Sequence, residues 1–575
     1  MVNRLRSIMP HIAKIRISAG LTNLLRKAVY KIFARLAAEE AESLERACHA
    51  PRKTQLDKLK NILLAAKDTA FGKEHGFGSI TNYEDFQASV PISDYESFRP
   101  YVDRMIDGEQ NILTQQDPFM FATTSGTTGL QKFIPVTTDY VSEYRKASRV
   151  SCFHLYRCFP KMDEGCSLAI ASPSVQGRTP AGIPFGSISG ALYQTEPEAI
   201  RNVLVSVPYE IFTIPDYETR YYCILRAALA NPVTSLYTVN PSTITVLARR
   251  LERYGRNLAK DLFDGTLTAP AAVPKSIVDK MSHLIHVDRP GAKVLEKLMD
   301  QDRCVPHRVW PQLQNVSCWT KAAASFYLND FGALFGSVPI CDVTYGASEG
   351  RGTVFLSPNE QVLAIRSHFF EFIPESEIHS SDPTVLLADE LVADENYYIL
   401  FSTSGGLYRY NINDVVKVTG FHSKTPLLEF QYKGGATFSF TGEKITELQV
   451  TQSMNLAMEE QSFQARFFTV IPQFRPLPHY SLWLEPGTAE QAPDAASQNK
   501  LATSFDRQLA MANIEYADKR RSLRLEAAQV RILKPGSYEL LRQSLVARGV
   551  ADTQIKLSHL NPQDETREFL TGRLT

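Results

Sequence analysis

Thr234-Ser-Leu-Tyr-Thr-Val239, followed at once by Asn240-Pro241-Ser242 and then by Ile244, Leu247, Ala248 and Leu251, decides the fold class. The first six residues are mostly β-branched, aromatic or apolar, as a buried strand requires. Asn240, Pro241 and Ser242 are helix-start residues, and the apolar positions after them fall on one helical face. A strand that runs straight into a helix is half of a β-α-β unit. Working outward, Ser167–Ser172, the strand before Trp319 leading into 322–334, and Val338–Tyr345 repeat the pattern, so a large, mostly parallel α/β core is expected. Helices dominate the first seventy residues, with Leu56, Leu59, Leu63 and Ala66 marking one of them.

Composition bounds what such a core can serve. The chain has 575 residues, 44% of them apolar and 22% charged, with 62 Lys+Arg against 62 Asp+Glu. At roughly 150 residues per domain the length suits about three to four domains, and the composition excludes a disordered or disulfide-scaffold protein. Zero net charge argues against a general nucleic-acid binder, which needs a basic excess. The eight cysteines form no C-x-x-C pair, so a reduced, cytoplasmic protein without a zinc site is expected. His283 and His286 have no ligand company nearby and read as ordinary histidines.

No apolar run reaches the roughly 18 residues that span a bilayer. Residues 1–38 nevertheless lack any acid, carry Arg4, Arg6, Lys14, Arg16, Arg26, Lys27, Lys31 and Arg35, and place Leu21, Leu25, Val29, Ile32, Phe33 and Leu36 at helical spacing. Such a basic amphipathic helix could make peripheral membrane contact. The plainer reading, a first helix packed on its own domain with a solvated basic face, is preferred. After Tyr432 a Lys433-Gly434-Gly435 break precedes a strand-and-helix pattern and an Ala/Gln/Ser-rich stretch, 487–500, that reads as a loop. The expected organisation is an amino-terminal helical segment over 1–50, a large domain over 51–432 and a small α+β domain over 433–575.

Three segments carry chemistry. In Thr123-Thr-Ser-Gly-Thr-Thr-Gly-Leu-Gln-Lys132, two glycines let backbone N–H groups approach an anion and the hydroxyls add donors, as a polyphosphate requires. It is no Walker loop, because the position five after Gly126 is Gln131, where that motif has its second glycine, and no G-K-[ST] follows. In Val343-Thr-Tyr-Gly-Ala-Ser-Glu-Gly350, at the end of an apolar run, Tyr345 offers a flat face for a base and Glu349 a hard oxygen for Mg²⁺. The same residues satisfy G-x-S-x-G, the nucleophile elbow of serine hydrolases, with Ser348 as nucleophile. That elbow needs a helix after the serine, whereas Arg351–Pro358 looks extended, so the hydrolase reading is second. In Gly405–Val418, Asp414 follows a polar turn and could accept both hydroxyls of a ribose.

Together these segments resemble the phosphate loop, the Tyr-x-x-x-Glu motif and the ribose aspartate of adenylate-forming enzymes. More narrowly, the chain resembles the Gretchen Hagen family of acyl acid amido synthetases, first known as auxin-responsive proteins and also present in bacteria. Thr69–Phe77, Val90–Tyr95 with Gly108-Glu109, Asn240-Pro241-Ser242, Trp310-Pro311 and Gly405–Tyr410 carry the resemblance through nearly the whole chain. It implies a large amino-terminal body with mostly parallel sheets and a smaller, mobile carboxyl-terminal lid hinged near 431–435. Ser125, Gly126, Thr127, Thr128 and Gly129 would hold ATP phosphates, with Ser348 a phosphate-side hydroxyl. Tyr345 would sit beside adenine, Glu349 would bind Mg²⁺ and Asp414 the ribose. Lys556, in Gln554-Ile-Lys556, would reach the phosphates or acyl oxygen, so that Lys556, Glu349 and Thr128 are the implied catalytic residues. The implied activity adenylates a carboxylic acid and passes the acyl group to an amino acid or other amine, releasing AMP and pyrophosphate. Asn413, Lys321 and Gln131 depart from the family pattern. Asn413 replaces a glycine, and Asn is the residue best able to keep φ > 0 there. Lys321 and Asn413 together keep a non-catalytic nucleotide-binding protein among the alternatives.

Overall fold

The computed structural model describes residues 19–124, 132–195, 198–321, 328, 330–378, 380–434, 437–438, 445–473, 478–521, 525–548, 555–561 and 563–575. The chain divides into two compact units, the first ending at Phe430 and the second built chiefly from Gln431–Thr575 together with Asn413–Val415.

In the first unit, strands Cys166–Ala169, Val233–Tyr237, Asn315–Cys318 and Ile340–Asp342 form a four-stranded sheet in that order, every neighbour parallel. Strand Val233–Tyr237 feeds helix Pro241–Asp264, the β-to-α unit read from the sequence. Helix Tyr217–Leu229 packs on this layer with Tyr221 to Ala228 all buried, because its register leaves hardly any polar face. Arg226, the cation within that buried run, is fully buried and donates to the carbonyls of Thr266, Leu284 and His286. After strand Asn315–Cys318 the helix expected over 322–334 is described only as Phe331–Phe335, residues 322–327 lying outside the described set.

A second sheet of six strands runs Phe369–Pro374, Asn396–Ser402, Tyr410–His422, Thr425–Lys433, Glu360–Leu363, Thr353–Ser357. Its outer pairs are antiparallel. Helix Pro51–Ala66 covers it, with proline at the first turn and Pro51, Gln55, Leu59, Ile62, Leu63 and Ala66 buried along one stripe. Each of those leucines and isoleucines contributes about 1.5–3 kcal/mol by leaving water. A third sheet holds the hairpin Met120–Thr124 and Lys132–Val136 beside Pro184–Gly186 and Gly177–Arg178.

Helix Ala19–Cys48 lies on the same unit through Val29, Tyr30, Ala37 and Leu44. Arg26, counted above among the basic residues, is 3% exposed and donates to the carbonyl of Val203 and to Sγ of Cys166. From Arg26 onward the helix therefore packs on its own unit, while residues 1–18 lie outside the described set. No helix among the described residues is long and apolar enough to cross a membrane.

In the second unit, strands Ala465–Gln473, His479–Pro486 and Gln529–Ile532 form a sheet flanked by helices Glu447–Glu460, Ala495–Ala512 and Ser537–Ala547. The stretch 487–500, read as a loop, is helical from Ala495. Asp494 accepts the Ser497 N–H at 2.8 Å as an N-cap, and Ala and Gln are strong helix formers once capped.

Candidate functional site

Strand Ile340–Asp342 ends the parallel sheet, and Val343–Arg351 leaves from its carboxyl end, where open α/β sheets place ligands. The segment turns back on itself. Ala347 and Gly350 exchange backbone hydrogen bonds, and Gly346 bridges Arg351. Arg351 is followed by strand Thr353–Ser357 and not by a helix, so the strand-turn-helix elbow that G-x-S-x-G requires is absent. The second glycine has a packing reason instead. A Cβ on Gly350 would stand 2.7 Å from Cδ1 of Phe401 and 3.2 Å from Cδ2 of His368.

Tyr345 is fixed at both backbone ends. Its N–H donates to Thr353 Oγ1 at 2.8 Å and Gln361 Oε1 at 3.2 Å, and its carbonyl accepts from Gly352 and Thr353. Gln361 in turn donates to Asp342 Oδ2 at 2.9 Å, while Asp342 Oδ1 accepts the Thr320 N–H. The ring stacks on Phe430, centroids 5.6 Å apart and 11° from parallel, and is 7% exposed. A Cβ on Gly352 would meet that ring at 2.1 Å. Tyr345 is therefore a tightly packed wall.

Glu349 is 5% exposed, and Ser348 beside it offers its backbone carbonyl to the Tyr140 hydroxyl at 2.7 Å. Arg351 donates its N–H to Nε2 of His368 at 3.0 Å and lays its guanidinium over the Tyr144 ring. His368 is fully buried, and loss of water, with Lys58 as a second cause, holds its imidazole down at about 3. Near it, Glu143 pairs with Lys58 and accepts from Ser404 Oγ at 2.6 Å. Burial pushes the Glu143 carboxyl above the usual range, against the opposing pull of Lys58 and Ser404. Sequence reasoning named none of Tyr140, Glu143, Gln361 or His368. Each is an ordinary residue type outside the turn, and no local signal marks it.

Ser125, Gly126, Thr127, Thr128 and Gly129 lie outside the described residues, as does Gln131. The ends of their loop are placed. Thr124 pairs with Lys132 across the hairpin, and the Lys132 ammonium sits 5.3 Å over the Tyr95 ring.

In the second unit, Asn413 has φ +65°, the conformation anticipated for a residue in a glycine's place, and exchanges hydrogen bonds with Gly434. Asp414 is 6% exposed and its Oδ1 lies 3.1 Å from the Lys433 ammonium. Lys321 is exposed. Lys556 is exposed on the segment 555–561, which runs along strand Ala465–Gln473 through Val470 N–H to the His559 carbonyl at 2.7 Å. That segment is pinned by Glu447, whose half-buried carboxylate accepts from Ser558 Oγ at 2.9 Å and His559 N–H at 2.5 Å and lies in the field of Lys556.

Among the described residues no cluster of three or more His, Cys, Asp or Glu could cage a metal by itself. A single buried carboxylate of the kind Glu349 supplies still suits Mg²⁺, which is bound through one or two carboxylates and substrate phosphates and keeps several waters.

The arrangement defines a class. A 2-hydroxyisobutyryl-CoA ligase in its postadenylation state has the same fold, with a TM-score of 0.52, 12% identity, and 92% of this chain and 93% of that one covered. This is the fold of adenylate-forming ligases. Within it, a GH3.15 acyl acid amido synthetase matches with a TM-score of 0.82 and 21% identity over 92% of this chain and 95% of that chain. The indole-3-acetic acid-amido synthetase GH3.3 of Arabidopsis thaliana is 22% identical over 541 residues, 90% of each chain. Models of the GH3 family N-terminal, central and C-terminal domains match residues 40–340, 361–433 and 448–565, and the chain belongs to the GH3 family.

Proposed function

We propose that the protein is an ATP-dependent acyl acid amido synthetase. The observation that carries the reading is the coincidence of three consecutive family domains with a rigid Tyr345–Glu349 turn at the carboxyl end of a parallel strand. A carboxylate oxygen of the acid attacks the α-phosphorus of ATP, the bond to the β-phosphate breaks, and pyrophosphate leaves. An amine nitrogen, on the reading of an amino acid acceptor, then attacks the acyl carbon, and AMP leaves with the C–O electron pair while the nitrogen loses its proton. No protein nucleophile is needed.

The residues divide that work. Ser125–Gly129 are assigned to the phosphates, Asp414 to the ribose, Tyr345 to the wall beside adenine, and Ser348 to a hydroxyl on the phosphate side. Lys556 is assigned to the charge that develops at the phosphates, for which Thr128 is a further donor. Glu349 would hold Mg²⁺, which supplies neutralisation of phosphate charge when bound. Asp414 meets Lys433 in this structure, so the ribose assignment requires that ion pair to make room for two hydroxyls. Residues 431–575 are assigned the part of a lid that excludes water from the mixed anhydride. The partners are a small carboxylic acid and an amine, with no nucleic acid. A cytoplasmic location is supported by eight cysteines that are all free thiols.

The test is exchange of labelled pyrophosphate into ATP across a panel of carboxylic acids, followed by mass spectrometry of products with amino acids. Acid-dependent exchange and an acyl amide are expected. ATP binding without exchange for any acid would instead establish a non-catalytic nucleotide-binding protein.

A further inference from the structure

A polar cluster lies beside the Val343–Arg351 turn, with His368 and Tyr140 buried and Lys58 and Glu143 half-buried. Lys58 on helix Pro51–Ala66 pairs with Glu143 on helix Thr138–Cys158, and a Glu143 oxygen lies 3.9 Å from Nδ1 of His368. Nε2 of His368 accepts the Arg351 N–H, which places the ring proton on Nδ1, facing that carboxylate. The carbonyl of His368 is itself held by Gln55 Nε2 at 2.8 Å. Tyr140 stacks on the imidazole at 5.9 Å and 22° while its hydroxyl holds the Ser348 carbonyl. Two packed side chains thus grip the backbone immediately before Glu349 and two residues after it.

A purely structural core would not favour this solution. Burying an ammonium and a carboxylate costs several kcal/mol per ion, and an apolar replacement of equal volume is often neutral or stabilising. Lys58 and Glu143 bond to each other and to Ser404, whereas the hydrogen bonds of the neighbouring His368 and Tyr140 end on the turn. Outer-shell partners of this kind set the orientation of a metal-binding carboxylate, and losing one costs about 10- to 100-fold in metal affinity.

We propose that His368 is a positioning residue for Glu349, fixing with Tyr140 the backbone of the 348–351 turn so that the carboxylate faces the metal-bound triphosphate. The Arg351 N–H, held by Nε2, selects the tautomer this needs, and the Nδ1 proton faces Glu143 at 3.9 Å without a hydrogen bond. The inference rests on the reading of Glu349 given above.

The test measures ATP affinity of the full-length protein by calorimetry in Mg²⁺ and again in EDTA. His368→Leu removes the acceptor for the Arg351 N–H, whereas His368→Gln offers Oε1 at a reach similar to that of Nε2. The expected result is a Mg²⁺-dependent gain in ATP affinity for the unsubstituted protein, cut about 10-fold or more in His368→Leu and restored to within about threefold in His368→Gln. Affinity in EDTA should be unchanged in both. Should the leucine variant fail to fold, Tyr140→Phe removes one hydroxyl and should cut the same gain by a smaller factor, about threefold. A folded His368→Leu, or in its place Tyr140→Phe, that keeps the whole gain overturns the positioning role and leaves the reading of Glu349 standing. Absence of any Mg²⁺-dependent gain in the unsubstituted protein overturns both.

Discussion

Ser348 and Glu349 are neighbours with opposite expected weights, and paired alanine substitutions separate an adenylating enzyme from a serine hydrolase. The structure sets the magnitudes. Ser348 is tied to Tyr140 through its backbone carbonyl, at 2.7 Å, and alanine keeps that bond. Ser348→Ala therefore removes a hydroxyl alone, about 0.5–1.5 kcal/mol, or roughly tenfold in rate at most. Glu349 is 5% exposed, and its carboxylate is assigned to the metal. Metal-assisted charge stabilisation amounts to several kcal/mol, so Glu349→Ala should lower acid-dependent pyrophosphate exchange by roughly a thousandfold. Exchange is measured at saturating ATP, with melting temperatures confirming that both variants fold, and a fluorophosphonate probe is applied to the unsubstituted protein. Ser348→Ala should keep measurable exchange, and the probe should label nothing at Ser348. A dead Ser348→Ala, an active Glu349→Ala and covalent labelling of Ser348 would refute the reasoning.

Gly352→Ala forces a Cβ to within 2.1 Å of the Tyr345 ring, which Phe430 holds from stacking distance, so thermal or urea unfolding should show a loss of about 1–3 kcal/mol together with weakened ATP binding. Lys58→Met leaves the half-buried Glu143 without its cation, and the loss should reach about 1–3 kcal/mol at pH 8. Burial already raises the folded Glu143 carboxyl above the ordinary value of 4.5, so the folded protein binds the proton more tightly than the unfolded chain. Stability then falls as pH rises from about 4.5 through the folded pKa; removing Lys58 raises that pKa further, so urea midpoints should show a smaller loss at pH 5 than at pH 8. Lys556→Ala should lower the adenylation rate far more than ATP affinity, as expected of a charge that meets the transition state; equal losses in both, in exchange assays and calorimetry, would count against its assignment.

What could be read in advance follows a physical rule. The strand Val233–Tyr237 and the helix after it were legible because burial on both faces and a helix start are local signals. The turn at Asn413 was legible too, since so few residues other than glycine adopt φ +65° with ease. The outer strands of the six-stranded sheet were not singled out. Phe369–Pro374 finds its partner Asn396–Ser402 across a long connection, and the inward charge Glu371 makes sense only against Arg409 and the Tyr83 hydroxyl. Stretch 487–500 misled because a biased Ala/Gln/Ser composition fits a loop as well as a helix, and the single cap at Asp494 decides between them.

The candidate site divides along the same line. Tyr345 and Glu349 announce themselves within five residues, whereas the groups that hold them arrive from Gln55, Tyr140, Glu143, Gln361 and His368. The bond from Tyr140 to Ser348 closes 208 residues of sequence, and nothing local to either end predicts it. Glycines 350 and 352 connect the two levels. In the sequence Gly350 completes a nucleophile motif, yet in three dimensions it lets the turn press against Phe401 and His368, and Gly352 lets Tyr345 lie flat on the chain. A motif match therefore settled less than its geometry did. The same five residues spell an elbow or a metal-bearing turn, and the strand that follows Arg351, together with the imidazole that receives its N–H, excludes the elbow.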